Sequence, residues 1–200
     1  MIYKNLQQEP FISYGHMNMK NDFRLLMTEL AYLSRSYIVS VIAGFGNTTA
    51  IASRLYSLPI KFKQKAELIF GIPLGEELVN VLSMHVIYLQ SFVNALKNGD
   101  QANVDESVKQ LYKNSDNIAA YYAKINPFWD QTQWKNLLYT YDAMLIEEAV
   151  ALMSGEYEKD LDIFERSLLD ALSMGDYLAD GIMQYLLVTC RDTATQSFKR

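Results

Sequence analysis

Cysteine is nearly missing from this chain of 200 residues: Cys190 stands alone, so no intrachain disulfide can form and no cysteine-based metal spacing is present. Glycine and proline are also scarce, with 9 and 4 residues. So few breakers leave room for long uninterrupted helices. Histidine occurs only at His16 and His85. Basic clusters are lacking too. The net charge is −5, from 18 basic and 23 acidic residues, and the densest cationic stretch is Lys61, Lys63 and Lys65 beside Phe62. That reads as a solvated helix end, so no nucleic-acid partner is expected. Met1 to Pro10 shows no basic region leading into an apolar run, so no signal peptide is expected. The most apolar run, Tyr37 to Phe45, is about half a membrane span and follows Arg35, so no membrane partner is expected either. With a lone cysteine, these features point to a reducing, cytoplasmic setting.

What the chain does have is apolar substance. Half of its residues are hydrophobic and 12% are aromatic, ample for a core. Apolar residues recur with alternating spacings of four and three, which places them on one helical face. The first such stripe is Leu26, Leu30, Leu33, Tyr37 and Ser40, in a helix over 22–43 stopped by Gly44, Gly46 and Asn47. Two short helices, 49–57 and 61–70, are expected on either side of Pro59. A long helix over 75–97 carries Leu78, Leu82, His85, Leu89, Phe92 and Leu96. Another carries Val104, Leu111, Ser115, Ile118 and Tyr122 and ends before Pro127. Asp130 to Gln133 forms a capping box ahead of Trp134, Leu138, Tyr141, Leu145 and Glu148. The longest helix is expected over 156–188, with Tyr157, Leu161, Phe164, Leu168 and Ala171 opening its stripe. No segment alternates apolar and polar residues as a half-buried strand does.

The expected fold is therefore all-α: an up-and-down bundle of four to five long helices with short inserted ones, ferritin-like in general shape. Residues 1–20 read as an irregular arm, 21–190 as one bundle domain and 191–200 as a flexible tail.

Few residues carry a chemical signal. His85 falls on an apolar seam, as a core histidine that hydrogen-bonds a buried group, or as a ligand or proton donor. Glu148 falls on another, where a carboxylate needs a cation; Arg35 is the natural partner, giving a structural polar layer or one side of a pocket. Asp176 and Asp180 share a face that reads as solvated. Tyr121, Tyr122, Phe128, Trp129 and Trp134 bracket the Asn126–Pro127 turn and read as packing for the end of the bundle. The residues three before His85 and His16 are Leu82 and Ser13, so the Glu-x-x-His pairs of a standard di-iron carboxylate site are absent. No Walker loop, dinucleotide fingerprint or nucleophile elbow occurs.

A series of short motifs also resembles a family of uncharacterised bacterial all-helical proteins of about this length. The series runs through Arg35, Ser53-Arg54-Leu55, His85, Lys97-Asn98-Gly99-Asp100, Asn114 to Ala119, Asn126-Pro127-Phe128-Trp129, Glu147-Glu148-Ala149, Gly155-Glu156-Tyr157, Met174-Gly175-Asp176 and Asp180-Gly181-Ile182, and covers residues 22–186. Some members are labelled acetylglutamate kinase, a label without motif support in this chain. The resemblance implies a histidine on each of four helices, at positions that here read Leu30, His85, Tyr141 and Asp170. It implies an inward polar layer, with one histidine of four kept.

Two functions follow as expectations. The first is non-catalytic small-ligand binding or protein interaction through an inner polar layer of His85, Tyr141, Glu148, Arg35 and Asp170. The second is a metal-dependent or redox enzyme with a reduced ligand set. A homodimer is expected because Phe11, Ile12 and Tyr14 make the arm apolar and the last helix outruns its neighbours.

Overall fold

The computed structural model describes the backbone of residues 13–70 and 76–197, with side chains for all of these except residues 69 and 190–197. Six α-helices account for almost all of it, and no strand occurs among the described residues. They are α1 (Tyr14–Ala43), α2 (Thr48–Phe70), α3 (Glu76–Asn98), α4 (Gln101–Ile125), α5 (Gln131–Met153) and α6 (Tyr157–Ser197). Each helix packs on the next, and α6 returns to α1, so the helices close a ring. Ion pairs show the sense of packing. Arg24 meets Asp176 and Arg35 meets Asp160, which sets α1 and α6 antiparallel. The Glu77–Lys124 ion pair and the hydrogen bond that the Asn114 amide donates to the Val81 carbonyl do the same for α3 and α4.

The helix ends follow local chemistry. Asp100 and Asp130 cap α4 and α5 by accepting from the Asn103 and Gln133 backbone amides at 3.2 and 2.8 Å. Gly44 closes α1 in the left-handed region, φ 75°, where a side chain would be strained.

Three expectations are corrected. The long helices number six among the described residues, because Pro59 does not divide α2. Proline there removes one backbone hydrogen bond. The helix continues because Leu55, Leu58, Phe62, Ala66 and Phe70 form one buried stripe across it. Second, α1 starts at Tyr14, within the stretch read as an irregular arm. His16 and Lys20 meet Asp180 at 2.8 and 3.0 Å, and Arg24 meets Asp176, so α6 holds this polar first half of α1. Asp176 and Asp180 are thus clasps between helices rather than a solvated ladder. Lys61 and Lys65 likewise bind α2 to Glu29 and Asp22 of α1. Third, α6 is helical to Ser197, past the expected boundary of the tail; residues 198–200, like Phe11 and Ile12, lie outside the described residues.

The opening of the α6 stripe also differs. Tyr157 and Leu161 are exposed, whereas Asp160, Ile163 and Ser167 face inward. The inward face there is chosen by Asp160, which follows Arg35.

α5 lies at the centre, packed against α1, α3, α4 and α6. It buries residues around a wide arc, from Trp134 through Leu138, Tyr141, Asp142 and Leu145 to Glu148 and Ala149. Helices α1 and α3 each contain an 18-residue stretch apolar enough to cross a membrane, with mean hydropathy 1.3 and 39% of the stretch buried within the bundle.

Candidate functional site

The interior holds two polar groups and a cavity, all touching α5. The first group is built on Arg35. Its guanidinium donates to both oxygens of Asp160 and to Oε1 of Glu148, each at 2.7 Å. It also lies 4.7 Å over the Phe164 ring. Both carboxylates are buried. One cation faces two anions, and Asp160 takes the bidentate share. Glu148 keeps a single bond and its Oε2 has no partner. Burial then dominates, and the Glu148 carboxyl is pushed up to about 7 despite Arg35. The Arg35–Glu148 pairing expected from the seams is present, with Asp160 added to it.

The second group centres on Asp142. Ser115 of α4 donates to its Oδ2 at 2.6 Å, and Nε2 of His85 lies 3.5 Å from its Oδ1. All three residues are buried. Desolvation lowers the His85 imidazole to about 4 and raises the Asp142 carboxyl to about 8. The pair therefore holds one proton around neutral pH and is neutral as a unit, whichever member carries that proton.

Between these groups stands Tyr141, 1% exposed, its phenol raised by burial with the Glu148, Asp142 and Asp170 carboxylates adding to the shift. Its hydroxyl interacts with that of Ser34, which offsets part of the shift, and neither hydroxyl has a further hydrogen-bond partner. Asp170 on α6 is half-buried, pushed up to about 6 by desolvation, and its Oδ2 is unpartnered.

A cavity of about 70 Å³ lies beside this layer. Its wall is almost wholly apolar and includes Leu30, His85 and Tyr141 together, the three positions expected in one inward layer. Tyr122 and Trp134 also line it. The aromatic residues read as packing for the bundle end thus extend to the central cavity: Tyr122 and Trp134 lie 4.7 Å apart between ring centres, with Trp129 against both. Of the sequence candidates, the structure brings His85, Leu30 and Tyr141 to one cavity. It places Arg35 and Glu148 in a separate ion-pair cluster. Asp170 is neither on the cavity wall nor in that cluster.

Asp142 and Asp160 were not singled out in the sequence, and Ser115 was placed on its helix stripe without a chemical role. Asp142 follows Tyr141 directly, off the seam drawn through that residue. A second seam, Leu138, Asp142, Leu145 and Ala149, was present at the same helical spacing and would have exposed it.

No group of three or more His, Cys, Asp or Glu side chains among the described residues is arranged to hold a metal ion. No protein-family model, curated protein or solved structure matches this chain.

Proposed function

We propose that this chain is a non-catalytic small-ligand-binding protein whose ligand occupies the central cavity beside His85 and Tyr141. The observation that carries the reading is the wall itself: apolar on nearly all sides, yet formed in part by residues with unpartnered buried polar atoms. Apolar pockets with a few convergent polar groups are the usual form of small-molecule sites. The Arg35–Glu148–Asp160 cluster serves as the register-fixing layer of the bundle, since its side chains bond one another across three helices.

The second reading, a metal-dependent or redox enzyme using His85, Tyr141, Glu148 and Asp170, requires those side chains to converge. Their separation between a cavity and an ion-pair cluster favours the first. Membership of the bacterial helical family, a ferritin-like general shape and a cytoplasmic location belong to the same proposal. So does the absence of a membrane or nucleic-acid partner. On this reading α1 and α3 are core helices, and His85 sits mid-helix in α3 facing α5.

The test is native mass spectrometry of the full chain purified without detergent, followed by organic extraction and elemental analysis. A small organic molecule released in stoichiometric amount supports the proposal. A stoichiometric metal or a visible chromophore reverses the order of the two readings.

A further inference from the structure

We infer that the outward face of α1 seats a second copy of this chain, with the two α1 helices parallel about a two-fold axis that runs along them. The inference uses no cavity residue and stands apart from the small-ligand reading. Asn21, Leu25, Thr28, Tyr32, Ser36 and Val39 follow one another at spacings of three and four, so they lie along one face of the helix. Leu25 and Tyr32 are 68% and 51% exposed, Asn21 and Ser36 are exposed, and Thr28 and Val39 are half-buried. None of the six is charged. Exposed Tyr14, seven residues before Asn21, extends the same face toward the start of the helix. A helix face that meets only water is ordinarily charged or polar, and this one sets large apolar side chains among small uncharged ones.

Charge identifies the occupant and its orientation. Helices α2 and α6 flank α1 on its two sides. α2 carries four basic residues, Arg54, Lys61, Lys63 and Lys65, against one acidic, Glu67. Arg54, Lys61 and Lys65 share one stripe of it, and the pairs of Lys61 with Glu29 and Lys65 with Asp22 fix that stripe beside α1. The first fourteen residues of α6 carry five acidic residues against two basic. Glu158, Asp162 and Glu165 share a stripe there, and all three are exposed. The face is therefore uncharged in the middle, basic along one edge and acidic along the other. A two-fold axis along α1 lays the α2 edge of each copy over the α6 edge of the other, so that opposite charges meet. A two-fold axis across α1 lays α2 on α2 and α6 on α6, so that like charges meet.

The levels along α1 also agree. α2 runs antiparallel to α1, since Lys61 meets Glu29 and Lys65 meets Asp22. Arg54, two turns before Lys61, is thereby level with the turn of α1 that holds Arg35. On the other edge Asp160 meets Arg35, and Asp162 is two residues on. An axis along α1 keeps these levels, so Arg54 of one copy faces Asp162 of the other. Neither residue has an ion pair within the chain among the described residues. From Tyr14 to Val39 the face is about 38 Å long, and with half of each flanking helix it is about 20 Å wide, close to the roughly 800 Å² per copy of a stable interface.

The experiment is sedimentation velocity on the full chain at micromolar concentration, with circular dichroism to check helicity. The unmutated chain is expected at twice the 23.0 kDa chain mass. Leu25→Glu and Tyr32→Glu set like charges against each other across the axis, and each should give a monomer of unchanged helix content. Arg54→Glu or Asp162→Arg alone should weaken the dimer at least about tenfold, because the symmetry turns two attractive pairs into two repulsive ones. The double variant restores both pairs and should return to within about threefold of the unmutated affinity. A monomeric unmutated chain overturns the inference. So does a dimer that survives both glutamate variants, since another face then holds it. A double variant no tighter than the single ones overturns the parallel arrangement. A monomeric chain that floats with neutral phosphatidylcholine vesicles, and loses them in Leu25→Glu, makes lipid the occupant and overturns the inference as well. Should Tyr32→Glu fail to fold, Leu25→Glu and the charge exchange still decide.

Discussion

Nε2 of His85 on α3 and Oδ1 of Asp142 on α5 face each other 3.5 Å apart, in a part of the core where both residues are buried. The contact sets a titratable residue of α3 against one of the central helix and makes stability depend on pH in a defined direction. Burial raises Asp142 from 3.8 to about 8 and lowers His85 from 6.5 to about 4. Between about pH 4 and 6.5 the two offset. Folded Asp142 keeps a proton that the unfolded chain releases, while folded His85 lacks one that the unfolded chain binds. Above 6.5 only Asp142 counts. The folded state then holds the extra proton, and its stability falls as pH climbs toward 8. Glu148 and Asp170, raised to about 7 and about 6, have the same sign at lower pH. Thermal midpoints should therefore be lower at pH 8 than at pH 6, and Asp142→Asn should flatten that decline. A midpoint that climbs over this interval would contradict the assignment.

His85→Gln should preserve the fold, because glutamine keeps polar capacity at the cavity wall. His85→Leu should be as stable as wild type or more so, since replacing a buried polar group with an apolar one of similar volume is often neutral or favourable. Both should lose any species that native mass spectrometry finds bound to the unmutated chain. Retention of ligand by His85→Leu would remove His85 from the site.

Arg35 bonds two buried carboxylates at once. Removing it strands both, so Arg35→Met should cost about 3–5 kcal/mol in denaturant unfolding near neutral pH. Much of that loss should be recovered in acid, as the carboxyls become protonated. Glu148→Gln should behave differently: it keeps an acceptor for Arg35, relieves the surplus negative charge, and should be near neutral at pH 6 and stabilising above pH 7. A Glu148→Gln variant as damaged as Arg35→Met would show that the charge of Glu148, rather than its hydrogen bond, holds the cluster.

Two glycines mark the tightest packing of α6. A Cβ at Gly175 would lie 2.9 Å from the Arg24 backbone, and one at Gly181 would lie 2.1 Å from Nε1 of Trp129. Alanine gains about 1 kcal/mol in helix propensity at either position, but overpacking costs about 1–3 kcal/mol. Gly175→Ala should be destabilising overall, because backbone cannot move aside as a side chain can. Gly181→Ala must displace the buried Trp129 ring and should quench or shift its fluorescence. Gly46, where a Cβ meets nothing within 4 Å, is the control. Unfolding midpoints of the three alanine variants give the comparison.

Exposed Tyr14 on α1 and Leu187 and Val188 on α6 offer apolar surface for a second copy, in keeping with the proposed homodimer. Light scattering at micromolar concentration should return twice the 23.0 kDa chain mass. The monomer mass at that concentration would refute the dimer.

Much of the fold was legible because the helices announce themselves locally. The expected 75–97 helix is α3 at 76–98, and the Asp130 cap opens α5 where the capping box placed it. The interruption at Pro59 was the misreading with the largest consequence. It weighed one lost hydrogen bond and missed the buried stripe on both sides of it. The candidate site was legible in part. His85, Tyr141 and Leu30 were on seams, and they do meet at one cavity. Asp142 and Asp160 stayed hidden, since an acidic residue in a helix looks alike whether it faces water or a buried partner.

By itself the sequence determined the helical class, most helix limits and the inward faces of α3, α4 and α5, because periodicity and capping act over a few residues of chain. Tertiary structure decided which polar residues were drawn inside. Arg35 and Asp160 are 125 residues apart, and Ser115 and Asp142 are 27 apart. Only the closing of α6 against α1, and of α4 against α5, brings these partners within hydrogen-bond distance. Without that partner each buried charge would be too costly to keep. The same closure turned Asp160, in the first turn of α6, toward Arg35, an outcome that depends on a neighbour far along the chain rather than on local spacing.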